Sequence, residues 1–287
     1  MTFNEWALGH EPTVRLSAFF GTFALMAVWE AVGPRRARLL PRRVRWFHNL
    51  ALVVLNTLIL RLLFPVAAVG FALLATEHGW GLLNTFDIPF WWALAVSVIA
   101  LDFAIYLQHV NFHALPLLWR LHRVHHADAD IDVTTGARFH PIEIVLSMLI
   151  KFAAIAVLGA PAVSVLVFEV ALNATAMFNH ANLRLGEPVD RWLRWMLVTP
   201  EMHRIHHSME AVETNSNFGF NLPWWDRLFG TYRDRARLPQ GIMVIGVKGL
   251  TGGDEAVRLT GLLAIPFMEA GSGYALGSVP ESDHDAR

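Results

Sequence analysis

Four long apolar runs, residues 14–32, 48–76, 88–107 and 142–178, constrain this chain more than any other feature. A helix needs about 20 mostly apolar residues to cross the ~30 Å hydrocarbon core of a bilayer, so the first and third runs match one crossing each. The fourth is long enough for a hairpin of two crossings, broken near Gly159-Ala-Pro161. Arg61 and Pro65 interrupt the second, which suits a tilted, kinked helix or a helix followed by a partly re-entrant segment. Arg61 is expected near mid-membrane, facing protein or a partner rather than lipid. Composition agrees, with 54% of residues hydrophobic and only 16% charged. The expected fold is all-α and membrane-embedded, with about four spanning or hairpin helices.

Charge between the runs sets the sidedness. Residues 34–45 carry six arginines, as expected of a cytoplasmic loop, whereas residues 77–87 hold two acids and no Lys or Arg. The third run then travels inward and delivers His109 and His113 to the cytoplasmic side. The hairpin leaves and returns, placing His180 on that side as well. A hairpin that dips only partway gives the same result. Arginine is used 21 times and lysine twice (Lys151 and Lys248), a bias that suggests a GC-rich bacterial genome and hence an inner membrane. A formal net charge of −1 argues against a nucleic-acid binder. With no cysteine, disulfides, zinc ribbons, iron–sulfur clusters and thiolate-ligated haem are excluded.

Two short stretches carry the chemistry. His122-Arg-Val-His125-His126 and His203-Arg-Ile-His206-His207 share the pattern H-R-[VI]-H-H, about 80 residues apart. On a helix, residues at i, i+3 and i+4 share one face, so each stretch presents three imidazoles together. The plain alternative is two solvated or core-satisfied histidine turns, which a doubled HxxHH makes the poorer account. His109 and His113 stand at i and i+4, and His180 precedes the second copy. Nine histidines exceed what one metal needs, since a catalytic zinc uses about three protein ligands. They suit two metals with four or five imidazoles each. Imidazole binds Zn, Fe, Cu and Ni alike. Zinc would imply hydrolysis by a metal-activated water, and iron with an open position would imply dioxygen activation. Bis-histidine haem fits clustered HxxHH turns poorly.

In order and spacing, several elements resemble the fatty acid hydroxylase / sterol desaturase superfamily of histidine-box membrane oxygenases. They are His109/His113, HRVHH, Arg138-Phe-His140-Pro-Ile-Glu143, Phe178-Asn-His180, HRIHH, Asn217-Phe-Gly and Trp225-Asp-Arg-Leu-Phe-Gly-Thr231. The similarity covers residues 90–232. It implies membrane helices capped by a cytosolic helical bundle with a dimetal site. It also implies two iron ions, with zinc taking their place in purified or inactive forms. Dioxygen would be the co-substrate, a bilayer lipid would be hydroxylated or desaturated, and an external donor of cytochrome b5, ferredoxin or reductase type would supply two electrons. The implied metal ligands are His109, His113, His122, His125, His126, His180, His203, His206 and His207. Some relatives have HxxxH where this chain has His180 with Arg184 four residues on, which leaves one ligand slot open. His140 matches the family's FHP element and is read as supporting the ligands rather than binding metal. Asp102, Glu143 and Asp226 are candidates to accept the second N–H of a ligand imidazole, as metal-bound histidines require. For each, a salt-bridge or capping role is the plain alternative. Arg123 and Arg204, inside the boxes, are read as pairing with carboxylates or lipid head groups, or as solvated. His10, His48, His78 and His284 receive no role.

The expected organisation is membrane spans in residues 1–107, a catalytic histidine-box region in 108–232 and a cytosolic tail in 233–287, partly disordered from Gly271. Residues 190–200 read as an interfacial amphipathic helix, and the aromatic stretch 215–232 as packing under the site. Two other functions compete with lipid oxygenation. A dimetal lipid hydrolase would usually recruit Asp or Glu among the ligands, and the paired boxes contain none. A metal transporter or other non-catalytic metal binder would spread its ligands across the membrane rather than collect them at one face.

Overall fold

The computed structural model describes residues 1–269 and 273–276. A short helix α1 (Phe3–Gly9) leads into α2 (Glu11–Val32), α3 (Arg42–Leu63), α4 (Ala68–Glu77) and α5 (Phe90–Ala114). Then follow α6 (Pro116–His126), α7 (Pro141–Leu158), α8 (Ala162–His180), α9 (Glu187–Leu193), α10 (Pro200–His206), α11 (Ala211–Thr214), α12 (Trp224–Leu228) and α13 (Leu259–Ala264). Among the described residues there are no β-strands, only two isolated bridges, Pro34 with Leu183 and Ser208 with Ile245.

Five helical segments are long and apolar enough to cross a membrane: α2, α3 with α4, α5, α7 and α8. About four were expected; the fourth run forms two full helices rather than a shallow hairpin. The turn between them falls where Gly159 and Pro161 stand. Gly159 ends α7 in the left-handed region (φ 70°, ψ 39°), the backbone that glycine adopts without a Cβ penalty. The second run breaks over residues 64–67, around Pro65, whose ring and missing N–H stop a helix interior.

The third run continues past 107 as one helix, α5, through His113, and carries the HxxxH pair on a membrane helix. Arg61 is exposed on this chain, so the protein's own helices do not cover it. The buried face of α3 is Arg45, Asn49, Leu52 and Asn56, a helical i, i+4, i+7, i+11 stripe. Position 61 lies well around the helix from that stripe.

The bundle has two main apolar cores. In one, Val69 and Ala72 of α4 and Leu101 of α5 pack against Ile155 of α7 and Val163 and Phe168 of α8. In the other, Trp119 and Val124 of α6 pack with Val247, Leu250, Leu262, Ile265 and Tyr274. Residues 242–268 therefore fold back over the first histidine box. Buried Arg123 fastens them by donating to the Ile265 and Met268 carbonyls (2.6 and 2.5 Å). The other box arginine, Arg204, pairs with Glu201 (3.1 Å) and donates to the Leu183 carbonyl (3.3 Å). The disordered end expected from Gly271 lies outside the described residues, apart from 273–276.

Arginines 34–45 do more than mark a membrane side. Arg35 pairs with Glu201 (2.8 Å), and Arg36 donates to the Gln240 and Met243 carbonyls (2.7 and 2.6 Å). Arg45, fully buried, grips Asp128 with two nitrogens (2.9 and 2.7 Å) and Asp132 with a third (2.6 Å). Burial alone would push Asp128 up, but the Arg45 and Arg138 guanidiniums overcome it and leave it at about 2. The loop after the first box is thereby clamped to the base of α3.

Candidate metal centre

Four helix ends converge on one point of the bundle. α5 presents His109 and His113, α6 presents His122, His125 and His126, α8 ends in His180, and α10 with its C-cap supplies His203, His206 and His207. All nine are buried. Their ring nitrogens sort into two groups, each with its donor atoms within 4.8 Å of one another. One group is His109, His113, His122, His126 and His206, and the other is His125, His180, His203 and His207. The groups touch, with the His126 ring 4.5 Å from that of His207 and the His206 ring 5.1 Å from that of His203, centroid to centroid.

Hydrogen bonds on the outward nitrogens fix the chemistry of the inward ones. His109 Nδ1 donates to the Phe218 carbonyl (2.7 Å), His122 Nδ1 to Glu143 Oε1 (2.7 Å) and His180 Nδ1 to the Ala176 carbonyl (2.7 Å). His206 Nδ1 donates to the Ser216 carbonyl (2.8 Å) and His113 Nδ1 to Asn215 Oδ1 (3.2 Å). A neutral imidazole has one proton, so these rings present a bare Nε2 lone pair inward. The His109 and His122 Nε2 atoms then face each other at 3.1 Å, lone pair to lone pair. A cation shared between the two rings satisfies such an arrangement. His113 Nε2, His206 Nε2 and both nitrogens of His126 are likewise buried without a partner, a costly state unless they are ligands. The donor set fits one metal ion per group, all nitrogen, with no sulfur or carboxylate.

Burial is the first cause of the protonation state. It holds the rings outside the membrane helices well below 6.5, His122 down to about 3, and the neighbouring imidazoles depress His125, His126, His203, His206 and His207 further. At neutral pH the lone pairs are free to coordinate.

The four supporting residues expected from the sequence divide. Glu143 does accept from a box imidazole. Asp226 touches none, but receives the Phe218 and Gly219 N–H groups (2.7 and 2.9 Å), steadying the loop whose carbonyl meets His109. Asp102 instead accepts from the Trp225 indole (2.8 Å). His140 caps α7, taking the Ile142 N–H on Nδ1 (3.2 Å), a position that turns it away from the cluster. Arg184 is exposed; α8 ends at His180, so position 184 is not on a helical face with it. The slot is left open, and the second group has four imidazoles where the first has five.

Sequence reasoning missed the acceptors Phe218, Ser216 and Ala176, because a backbone carbonyl has no residue signature. It also missed Gly136, whose absent Cβ lets the turn at Thr135–Ala137 press against α8. A Cβ there would meet the Ala176 carbonyl oxygen at 2.6 Å and His180 Nδ1 at 3.2 Å.

A cavity of about 330 Å³ opens beside the five-imidazole group. His109, His122 and Glu143 form its inner end, and Ile105, Phe112, Phe139, Met148, Leu172 and Phe220 are among its apolar walls.

A multi-pass helical membrane protein with two adjoining all-histidine clusters, five and four, has the donor set of a polyhistidine metal site. The fatty acid hydroxylase family model matches residues 94–231. The chain is 28% identical to the ornithine lipid hydroxylase of Rhizobium tropici over 278 residues, 92% of this chain and 78% of that one. It is 30% identical to the alkylglycerol monooxygenase of Xenopus tropicalis over 151 residues, 51% of this chain and 31% of that one. It is also 29% identical to a Lecanicillium fatty acid hydroxylase over 163 residues, 50% of this chain and 44% of that one. The chain thus spans less than half the length of the latter two. No solved structure matches it. Over residues 94–231, just under half of its length, the chain is similar to the fatty acid hydroxylases, and its relatives are named hydroxylases and monooxygenases, consistent with an oxidoreductase.

Proposed function

We propose that the protein is a lipid monooxygenase: two iron ions held by the nine histidines, dioxygen and two external electrons convert a lipid C–H into C–OH with release of water. The balance is R–H + O2 + 2 electrons + 2 protons giving R–OH + H2O. Bound iron supplies the dioxygen activation and C–H attack that no side chain here can perform. The ligands are His109, His113, His122, His126 and His206 for one ion, and His125, His180, His203 and His207 for the other. Hydroxylation rather than desaturation is favoured by the relatives, which are named hydroxylases and monooxygenases acting on ornithine lipid, alkylglycerol and fatty acid.

The observation that carries this reading is the cavity. It lies between membrane helices, is walled by apolar side chains interrupted by polar ones, and ends on His109 and His122. An alkyl chain can enter from the bilayer and reach the metals without meeting water. The residues of the chain do the positioning. Glu143 takes the His122 N–H and keeps that ring's lone pair inward; the Phe218, Ser216 and Ala176 carbonyls do the same for His109, His206 and His180. The apolar wall excludes water from the reacting carbon. Electrons arrive from a separate carrier of cytochrome b5, ferredoxin or reductase type on the cytoplasmic face of an inner membrane, an orientation that the arginine-rich residues 34–45 support.

Two measurements test the proposal. His125→Ala and His206→Ala should each lose metal while still inserting in the membrane; unchanged metal stoichiometry would sink the ligand assignment. Cells making the active protein should contain lipids heavier by one oxygen than cells making His125→Ala, and identical lipid profiles would count against oxygenation.

A further inference from the structure

The cavity has a second end. Lys151 lies eight residues beyond Glu143 on α7, about 12 Å at 1.5 Å per residue, and lines the same space as Glu169 of α8. Lys151 Nζ meets Glu169 Oε1 at 2.5 Å, and Arg15 of α2 meets Glu169 Oε2 at 2.5 Å. Arg15 also reaches Glu11 (2.8 Å), one turn back on its own helix and outside the cavity wall. Ionisable groups inside membrane helices are expensive, face the bundle interior and mark substrate paths. Both oxygens of Glu169 are engaged, whereas an ammonium carries three donors and Glu169 takes one. Between the two ends, Gln108 donates to Ser147 (2.8 Å), while its Oε1 is buried with no donor. Asn56, Thr57 and Asn173 are further polar groups of the wall, but Lys151 is, among the described residues, the single cation lining the cavity, a cationic donor at its far end with a free acceptor midway.

We infer that Lys151, braced by Glu169 and Arg15, is a polar-group subsite that takes the carbonyl or carboxylate oxygen of an acyl lipid. The hydrocarbon chain then runs along the cavity to the histidine end. This rests on the lipid-oxygenase reading and adds its substrate class and polarity: an acyl lipid held by its oxygen about 12 Å from the inner end, so that oxidation falls many bonds from the acyl group. Glu169 is a positioning residue in this scheme, since it aims the ammonium and does not touch the substrate.

The test uses the purified full chain in detergent, with metal content measured on the same samples and three probes: hexadecanoate, hexadecanamide and hexadecane. Wild type is expected to bind at least one of the two oxygen-bearing probes at least tenfold more tightly than hexadecane. Preference for hexadecanoate alone assigns the subsite to a free carboxylate; preference for both assigns it to an acyl carbonyl. Lys151→Met should erase the preference and leave metal content unchanged. Removing one member of a buried ion chain can destabilise the fold, so the double variant Lys151→Met/Glu169→Gln, which removes both charges, serves as the second readout. Absence of a preference in wild type, or its survival in both variants, overturns the subsite. The His125→Ala protein separates this from the parent reading: it should lose oxygenation but keep the probe preference. A wild type that carries no metal yet keeps the preference would overturn the oxygenase reading and not the subsite.

Discussion

A carboxylate set against an imidazole fixes which nitrogen carries the proton and raises the basicity of the other. Glu143 does this for His122 and is, among the described residues, the one acid that hydrogen-bonds a box histidine. Glu143→Gln keeps the shape but removes the charge and allows the amide to present its NH2. Metal affinity is expected to fall 10–100-fold, the usual effect of altering a ligand's outer partner, with the fold intact. Metal titration of the purified variant checks this; wild-type affinity would reduce Glu143 to a packing residue. The same burial that frees the lone pairs sets a pH dependence in the metal-free protein. The folded pKa of His122, about 3, lies below its unfolded value near 6.5, and His125, His126, His203, His206 and His207 are shifted in the same direction. Between those values the unfolded chain binds more protons, so stability should fall as pH drops from 6.5 toward 3 and be flat above about 7. Each histidine contributes a slope of up to about 1.4 kcal/mol per pH unit. Thermal unfolding of chelated protein across pH 4–8 reads the slope, and a constant midpoint would contradict it.

Helix ends and turns deliver the histidines, and here one turn without a functional side chain matters as much as the boxes. The turn Thr135–Ala137 lies against α8 through Gly136, next to the carbonyl that orients His180. Gly136→Ala forces that carbonyl and the end of α8 outward. An overpacking cost of about 1–3 kcal/mol is expected, together with metal loss confined to the four-imidazole group. Metal per chain should then drop from two toward one; a variant that keeps both ions would show that α8 yields without moving His180. This element also shows what the sequence made legible. The boxes and the Gly159–Pro161 break stand out because i, i+3, i+4 spacing and Gly/Pro punctuation are local signals. Gly136 and the carbonyls of Ala176, Ser216 and Phe218 do not, because their roles exist only once α5, α8 and α10 meet. Arg45 fell between the two cases. Its charge was visible, but its partners Asp128 and Asp132, more than 80 residues on, were not, so a buried clamp read as a topology signal.

At the scale of the whole molecule, sidedness is decisive. The nine histidines come from four helices, α5 and α6 consecutive and α8 and α10 further on, and an odd or even error in crossings would send some of them to opposite faces. They converge, which requires α5 to run toward the face where α7 begins and α8 to return to it. The break at residues 64–67 preserves that parity, because α4 packs beside the α7–α8 turn, at the end of the bundle far from the boxes. The expected face of the membrane rests on residues 34–45, of which Arg35, Arg36, Arg42 and Arg45 bind the protein itself and Arg38 and Arg43 remain. The positive-inside signal is thus weaker than the raw count of six, and it needs a direct test. The absence of cysteine makes one available. His78 and Arg184 are both exposed, one beyond α4 and the other beyond His180, at opposite ends of the bundle. In intact cells a membrane-impermeant thiol reagent is expected to label His78→Cys and to reach Arg184→Cys only after permeabilisation. The reverse pattern would put the histidine site, and the electron donor that serves it, on the outer face. Labelling of both in intact cells would break the parity itself, and with it the crossing order of α4, α5, α7 and α8.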